Sequence, residues 1–135
     1  MPTDPARLRE FAARYTAAWC SEDPAAVAEF YSPDGSLTIN DGPPSVGLKA
    51  ITEAARAFMT AFPDMTVVMD GLVVRGEEAQ YHWTLTGTNT GPGGTGHRVC
   101  ISGFEEWRFD HTGLIASSRG HFDAAEYGRQ LREGV

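Results

Sequence analysis

The stretch AQYHWTLTGTNTG, residues 79–91, decides how the chain is read. Tyr81, Trp83 and Leu85 fall on one face, while His82, Thr84 and Thr86 fall on the other. Such alternation is that of a strand with one buried side. Three more stretches read the same way: MTVVMDGLVVRG (65–76), HRVCISGFEEWRF (97–109) and LIASSRGHF (114–122). Short turns join them, so the expectation is an antiparallel sheet. The glycines of TGPGGTG (90–96) lie between two strand-like runs. No helix starts there and no Lys-Ser/Thr follows, so the segment reads as a hairpin loop rather than a phosphate cradle.

Upstream the period changes. Asp4-Pro5 supplies a cap and a first-turn proline, and Leu8, Phe11, Ala12, Tyr15 and Trp19 then form one helical stripe. Asp23-Pro24 repeats the start signal, and AAVAEFY reads as a second helix stopped near Pro33-Asp34-Gly35. SLTI (36–39) reads as a short strand and NDGPPS as a loop. Leu48, Ile51, Ala55, Phe58 and Phe62 predict a third helix ended by Pro63. A last helix is expected from Ala124 to about Arg132. Helices gathered at the N-terminal side of a run of strands imply an α+β fold with helices covering one sheet face.

With 135 residues, 41% of them apolar and 21% charged, the chain suits one soluble domain over residues 1–135. A formal charge of −7 argues against nucleic acid or anionic membranes as partners. No segment reaches the ~20 apolar residues of a spanning helix and none reads as a leader, so the expected location is the cytoplasm. Cys20 and Cys100 have no ligand spacing and read as buried free thiols. No metal or nucleotide motif is found, and a cofactor-free protein is expected.

The chemistry-bearing residues follow from face and position. Glu105 shares a strand face with Val99, Ile101, Trp107 and Phe109, where a carboxyl would have a raised pKa. Glu106 falls on the other face. Tyr15 is either a core tyrosine or a phenol aimed into a pocket. Arg119, His121 and Asp123 share one face at the end of the last strand. Asp123 also has the position of a helix N-cap, and DAAE the spacing of a capping box, so a cap and a catalytic acid compete there.

The order of elements, with AFPDM closing the third helix, resembles the nuclear transport factor 2-like superfamily, which implies a cone of curved sheet wrapped by helices around a pocket. Phe62-Pro63-Asp64, Trp83, Gly87-Thr88-Asn89-Thr90-Gly91, Gly96, Gly113-Leu114-Ile115, and Asp123 followed by YGRQL resemble the SnoaL-like polyketide cyclases. That resemblance implies an acid/base carboxylate at Asp123, as in an aldol closure. Within the superfamily, RYTAAW is similar to the first-helix tyrosine motif of ketosteroid isomerases, and Glu105 falls near their protonated acid; Ile39 stands about where their base lies. The implied function is acid/base chemistry on a small hydrophobic carbonyl compound. Asp123, His121, Glu105 and Tyr15 would be the catalytic candidates, with Trp83, Trp107, Phe58 and Arg119 shaping the site. The alternative is a non-catalytic ligand-binding or dimerisation domain. Apolar residues on both parities of MTVVMDGLVV predict a homodimer through the sheet.

Overall fold

The computed structural model describes residues 4–135. Helix α1 spans Pro5–Trp19, α2 Pro24–Ala28, α3 Leu48–Ala61 and α4 Ala124–Glu133. The strands are β1 Tyr31–Ile39, β2 Ser45–Val46, β3 Thr66–Arg75, β4 Glu78–Thr88, β5 Arg98–Phe109 and β6 Ile115–Phe122. They form one six-stranded sheet in the order β2-β1-β6-β5-β4-β3. Among the described residues no helix is long and apolar enough to cross a membrane.

The helix starts are those the sequence signals. Asp4 and Asp23 each cap with a side-chain oxygen, on the N–H of Ala6 and of Ala25, ahead of a first-turn proline. Helix α2 is shorter than expected and ends at Ala28. Phe30 and Tyr31 leave it because each has a better use outside. The Phe30 carbonyl accepts from the N–H of Ile115, and Tyr31 opens β1 opposite Ile115. Pro33-Asp34-Gly35 is therefore not a helix stop but an irregularity inside β1, where the register with β6 shifts between Tyr31 and Ser36. A Cβ at Gly35 would lie 2.9 Å from the Ile115 carbonyl oxygen, so the close approach needs glycine there.

The sheet is antiparallel from β3 to β6, as the four strand runs predict. The β1–β6 pair corrects that expectation, because it is parallel. Two strands so far apart in sequence need no hairpin and can run the same way through a crossover. The two-residue β2 was not expected; it pairs with Ser36 and Leu37. At its N-terminal end β5 runs beyond β6, and helix α4 covers that edge: the side-chain carbonyl of Gln130 accepts from the Cys100 N–H at 2.7 Å.

Helices α1–α3 pack on one sheet face around an aromatic core. Tyr81 and Trp107 stack at 4.8 Å, and Tyr15 meets both rings edge-on at 5.5 and 5.1 Å. Such pairs each contribute about 0.5–1.5 kcal/mol beyond simple burial. The glycine loop is a docked hairpin. A Cβ at Gly91 would lie 1.9 Å from the Thr60 carbonyl oxygen at the end of α3. Asn89 ties the loop down, donating to the Ala61 carbonyl and accepting from the Thr95 N–H. Both cysteines are free thiols, but both are exposed, contrary to expectation. Cys20 stands just past the end of α1, and Cys100 has the outward parity on β5.

Candidate active site

Strand parity on β4, β5 and β6 builds the site. Tyr81, Trp83 and Leu85 from β4, Ile101 and Glu105 from β5, and Gly120 and Phe122 from β6 all face the helices and line one cavity of about 60 Å³. Trp19 and Phe58 close it from α1 and α3, and Tyr127 from α4. Glu105 is the only carboxyl in this wall, among the described residues, and the wall holds no imidazole or thiol. One carboxyl is too few donors to hold a metal ion.

Glu105 is buried, and three donors converge on its Oε1. The Ser118 hydroxyl donates at 2.6 Å, the Tyr15 hydroxyl at 2.9 Å and the Trp107 indole at 3.0 Å. Tyr15 is in turn fixed by Tyr31 at 2.8 Å. Burial pushes the Glu105 carboxyl above its ordinary range, and the hydrogen bonds from Ser118, Trp107 and Tyr15 act against that push. The Tyr15 and Tyr31 hydroxyls are held well above the ordinary tyrosine range by burial and then by the Glu105 charge, so they stay protonated donors.

Two glycines open the space. Gly103 pairs with Trp83 across β4–β5, and a Cβ there would lie 2.8 Å from Trp83 Cζ2 and 2.2 Å from the His121 carbonyl oxygen. The Trp83 indole thus lies across Gly103, two residues from Glu105 on the same face. Gly120 pairs with Glu105, and a Cβ there would make only ordinary contact, 3.8 Å from Glu105 Cγ.

The site candidates from the sequence separate into two groups. Tyr15, Glu105 and Trp107 come together, and Trp83 and Phe58 line the cavity beside them. Arg119 and His121 have the opposite parity and lie on the outer face of the sheet. There the His121 Nε2 is 2.7 Å from Glu106 Oε1, and Arg119 is 3.9 Å from the same oxygen. Phe104 lies between the rings of His82 and His121 on that face. Asp123 is exposed and outside the cavity wall, and its Oδ1 accepts from the Glu126 N–H at 3.0 Å as the N-cap of α4. Of the two readings of Asp123, the geometry shows the helix cap, and it does not put the carboxylate in the cavity wall as the resemblance implies. The parity that groups Asp123 with Arg119 and His121 turns it away from the face of Gly120 and Phe122. Ser118 and Tyr31 were missed as parts of the Glu105 environment. Ser118 was legible, since it shares the face of Gly120 and Phe122; Tyr31 was hidden by its assignment to a helix.

The fold recurs among solved structures. A putative SnoaL-like polyketide cyclase from Jannaschia sp. CCS1 is similar over 100% of this chain and 99% of its own, with a TM-score of 0.84 at 16% identity. An epoxide hydrolase/cyclase-like enzyme, SalBIII, described with a role in pyran ring formation in salinomycin, has a TM-score of 0.77 at 20% identity over 91% of this chain and 95% of its own. A protein of ketosteroid isomerase-like fold from Catenulispora acidiphila DSM 44928, in complex with trimethylamine, has a TM-score of 0.80 at 15% identity over 90% and 92%. No curated protein matches the chain. The SnoaL-like domain matches residues 12–118, which takes in α1 from Ala12, the sheet through Ser118, and the Glu105 cluster. The chain belongs to the SnoaL-like domain family.

Proposed function

We propose that the protein is an acid/base enzyme acting on a small hydrophobic carbonyl compound bound in the cone, with Glu105 as the proton-transfer group. One observation carries this reading: an apolar, aromatic cavity whose only carboxyl, among the described residues, is fixed by three converging donors. A carboxylate with a raised pKa is a better base at neutral pH than an ordinary one. In the reaction the C–H bond beside the carbonyl breaks and its proton passes to a Glu105 carboxylate oxygen. The electron pair moves onto the carbonyl oxygen as an enolate. Return of a proton, or attack of the enolate on a second carbonyl, completes an isomerase-type or aldol-type outcome. Tyr15, Ser118 and Trp107 hold the carboxyl in place. Trp83 and Phe58 shape the wall, and Asp123 belongs to α4 rather than to the chemistry. His121 and Arg119 lie against Glu106 on the outer sheet face.

The test is deuterium incorporation from D₂O at the carbon beside the carbonyl, across a panel of small enolisable cyclic and aryl ketones, followed by proton NMR. Incorporation above the buffer rate in at least one member supports the reading. Buffer rates throughout contradict it and favour a non-catalytic binding domain.

The same reading includes a homodimer through the outer sheet face. Val68 and Val73 are 53% and 39% exposed on β3, and the half-buried Phe104 on β5 lies on the far side of β4. A monomer mass by light scattering at micromolar concentration contradicts it.

A further inference from the structure

The outside of α1 carries a second cleft, of about 430 Å³, that shares no lining residue with the cavity around Glu105. One wall is α1, through Arg7, Glu10 and Arg14, and the other is the turn between β5 and β6, through His111 and Gly113. The largely buried Phe11 supplies the apolar part of the lining. Helical spacing makes the first wall, because residues 7, 10, 11 and 14 fall on one face at i, i+3, i+4 and i+7. The turn is fixed from within. Asp110 Oδ1 accepts from the N–H of Thr112 at 2.8 Å and of Leu114 at 3.1 Å, and from the Thr112 hydroxyl at 2.6 Å. The acid of the turn is thus engaged inside it.

The charge in this cleft runs against that of the chain. The formal charge of the protein is −7, yet the cleft gathers two guanidinium groups and an imidazole around one carboxylate, Glu10. Glu10 stands three residues from Arg7 and four from Arg14, the spacing that helical ion pairs use. Among the described residues neither arginine makes an ion pair. The Arg14 guanidinium lies instead over the Phe30 ring, 6.0 Å from its centroid. That contact holds the cation in place and leaves its N–H groups to a ligand.

We propose that this cleft is a second binding site, separate from the cavity, and that it takes a phosphate monoester with a small apolar body. A phosphate monoester is close to a dianion near neutral pH and offers three acceptor oxygens. Those suffice for both arginine forks and the His111 ring at once. Arg7 and Arg14 are two turns, about 10 Å, apart along α1, a span that two extended arginine side chains close on one group. The apolar body lies against Phe11. Glu10 opposes the anion and holds the affinity below what two arginines alone would give.

The experiment is calorimetric titration of the full chain near neutral pH with phenyl phosphate, inorganic phosphate, benzoate and phenol. Phenyl phosphate should bind about tenfold or more tighter than phenol, and tighter than inorganic phosphate or benzoate. The double variant Arg7→Gln, Arg14→Gln should weaken it about tenfold or more through loss of charge-assisted contacts. Glu10→Gln should tighten it about twofold to fivefold by removing a like charge. All three side chains are exposed, so these variants keep the fold. Gly120→Leu, in the wall of the Glu105 cavity, should leave the affinity unchanged. No saturable binding of phenyl phosphate, equal binding of any of the other three probes, unchanged affinity in the double variant, weaker binding in Glu10→Gln, or loss of binding in Gly120→Leu each overturns the proposal.

Discussion

Glu105 and Gly120 face each other across the β5–β6 ladder, and the absent side chain at 120 leaves space in the cavity wall beside the Glu105 side chain. A Cβ at 120 meets nothing closer than 3.7 Å, so Gly120→Ala should fold and gain a few tenths of a kcal/mol from reduced chain entropy. Gly120→Leu should fill the space and weaken binding of the best ketone of the panel at least tenfold. Calorimetric titration of both variants checks this, and unchanged binding in Gly120→Leu would place the ligand elsewhere.

Gly103 is the opposite case. A Cβ there collides with the His121 carbonyl and with Trp83 at the distances of 2.2 and 2.8 Å. Gly103→Ala should destabilise the fold by about 1–3 kcal/mol, the usual cost of overpacking. Urea denaturation reads it directly. A neutral result would mean that both the β6 backbone at His121 and the Trp83 indole can shift at little cost.

The pH dependence of stability follows from the direction of the Glu105 shift. Its folded pKa is raised above the ordinary 4.5. The contribution to stability is therefore fully present below about pH 4.5 and is lost as pH rises through the folded value. Relative to Glu105→Gln, which does not titrate, the native protein should gain stability as pH falls through that range and level off below it. Thermal unfolding of the pair from pH 4 to pH 8 gives the difference curve. A difference that grows in the other direction would mean that the three hydrogen bonds outweigh burial.

Asp123 provides a clean separation of capping from chemistry. Asp123→Ala should cost about 1 kcal/mol through loss of the α4 cap, and Asp123→Asn should cost little, because Asn caps about as well. Neither should change the rate of proton exchange once the stability difference is allowed for. A large rate loss in Asp123→Asn with stability intact would restore Asp123 to the reaction.

The sheet was legible because alternation on β4 and β5 is unbroken: the pattern that placed Tyr81, Trp83 and Leu85 together also placed Glu105 inward and Glu106 outward. Helices α1 and α3 were legible from apolar stripes and flanking prolines. The parallel β1–β6 pair was not, because pairing direction between distant strands depends on the path of the chain and leaves no local pattern. Tyr31 and Phe30 were misread because an apolar run after a helix start carries the same signal whether it continues the helix or leaves it. The placement of Asp123 at the site came from its parity with His121, its aromatic neighbour and a resemblance. Parity on β6 already set Ser118, Gly120 and Phe122 apart from Arg119, His121 and Asp123, and only the first set shares the face of Glu105.

The central claim is that Glu105, and not Asp123, carries the proton. It is tested most directly by measuring deuterium incorporation into the best ketone of the panel with Glu105→Gln and Asp123→Asn side by side, each at full ligand saturation. A general acid or base contributes about 10²–10⁴-fold to a rate. The predicted result is a loss of that order in Glu105→Gln, with ketone binding retained, and an unchanged rate in Asp123→Asn. A Glu105→Gln variant that binds the ketone and exchanges it at the native rate would contradict the account.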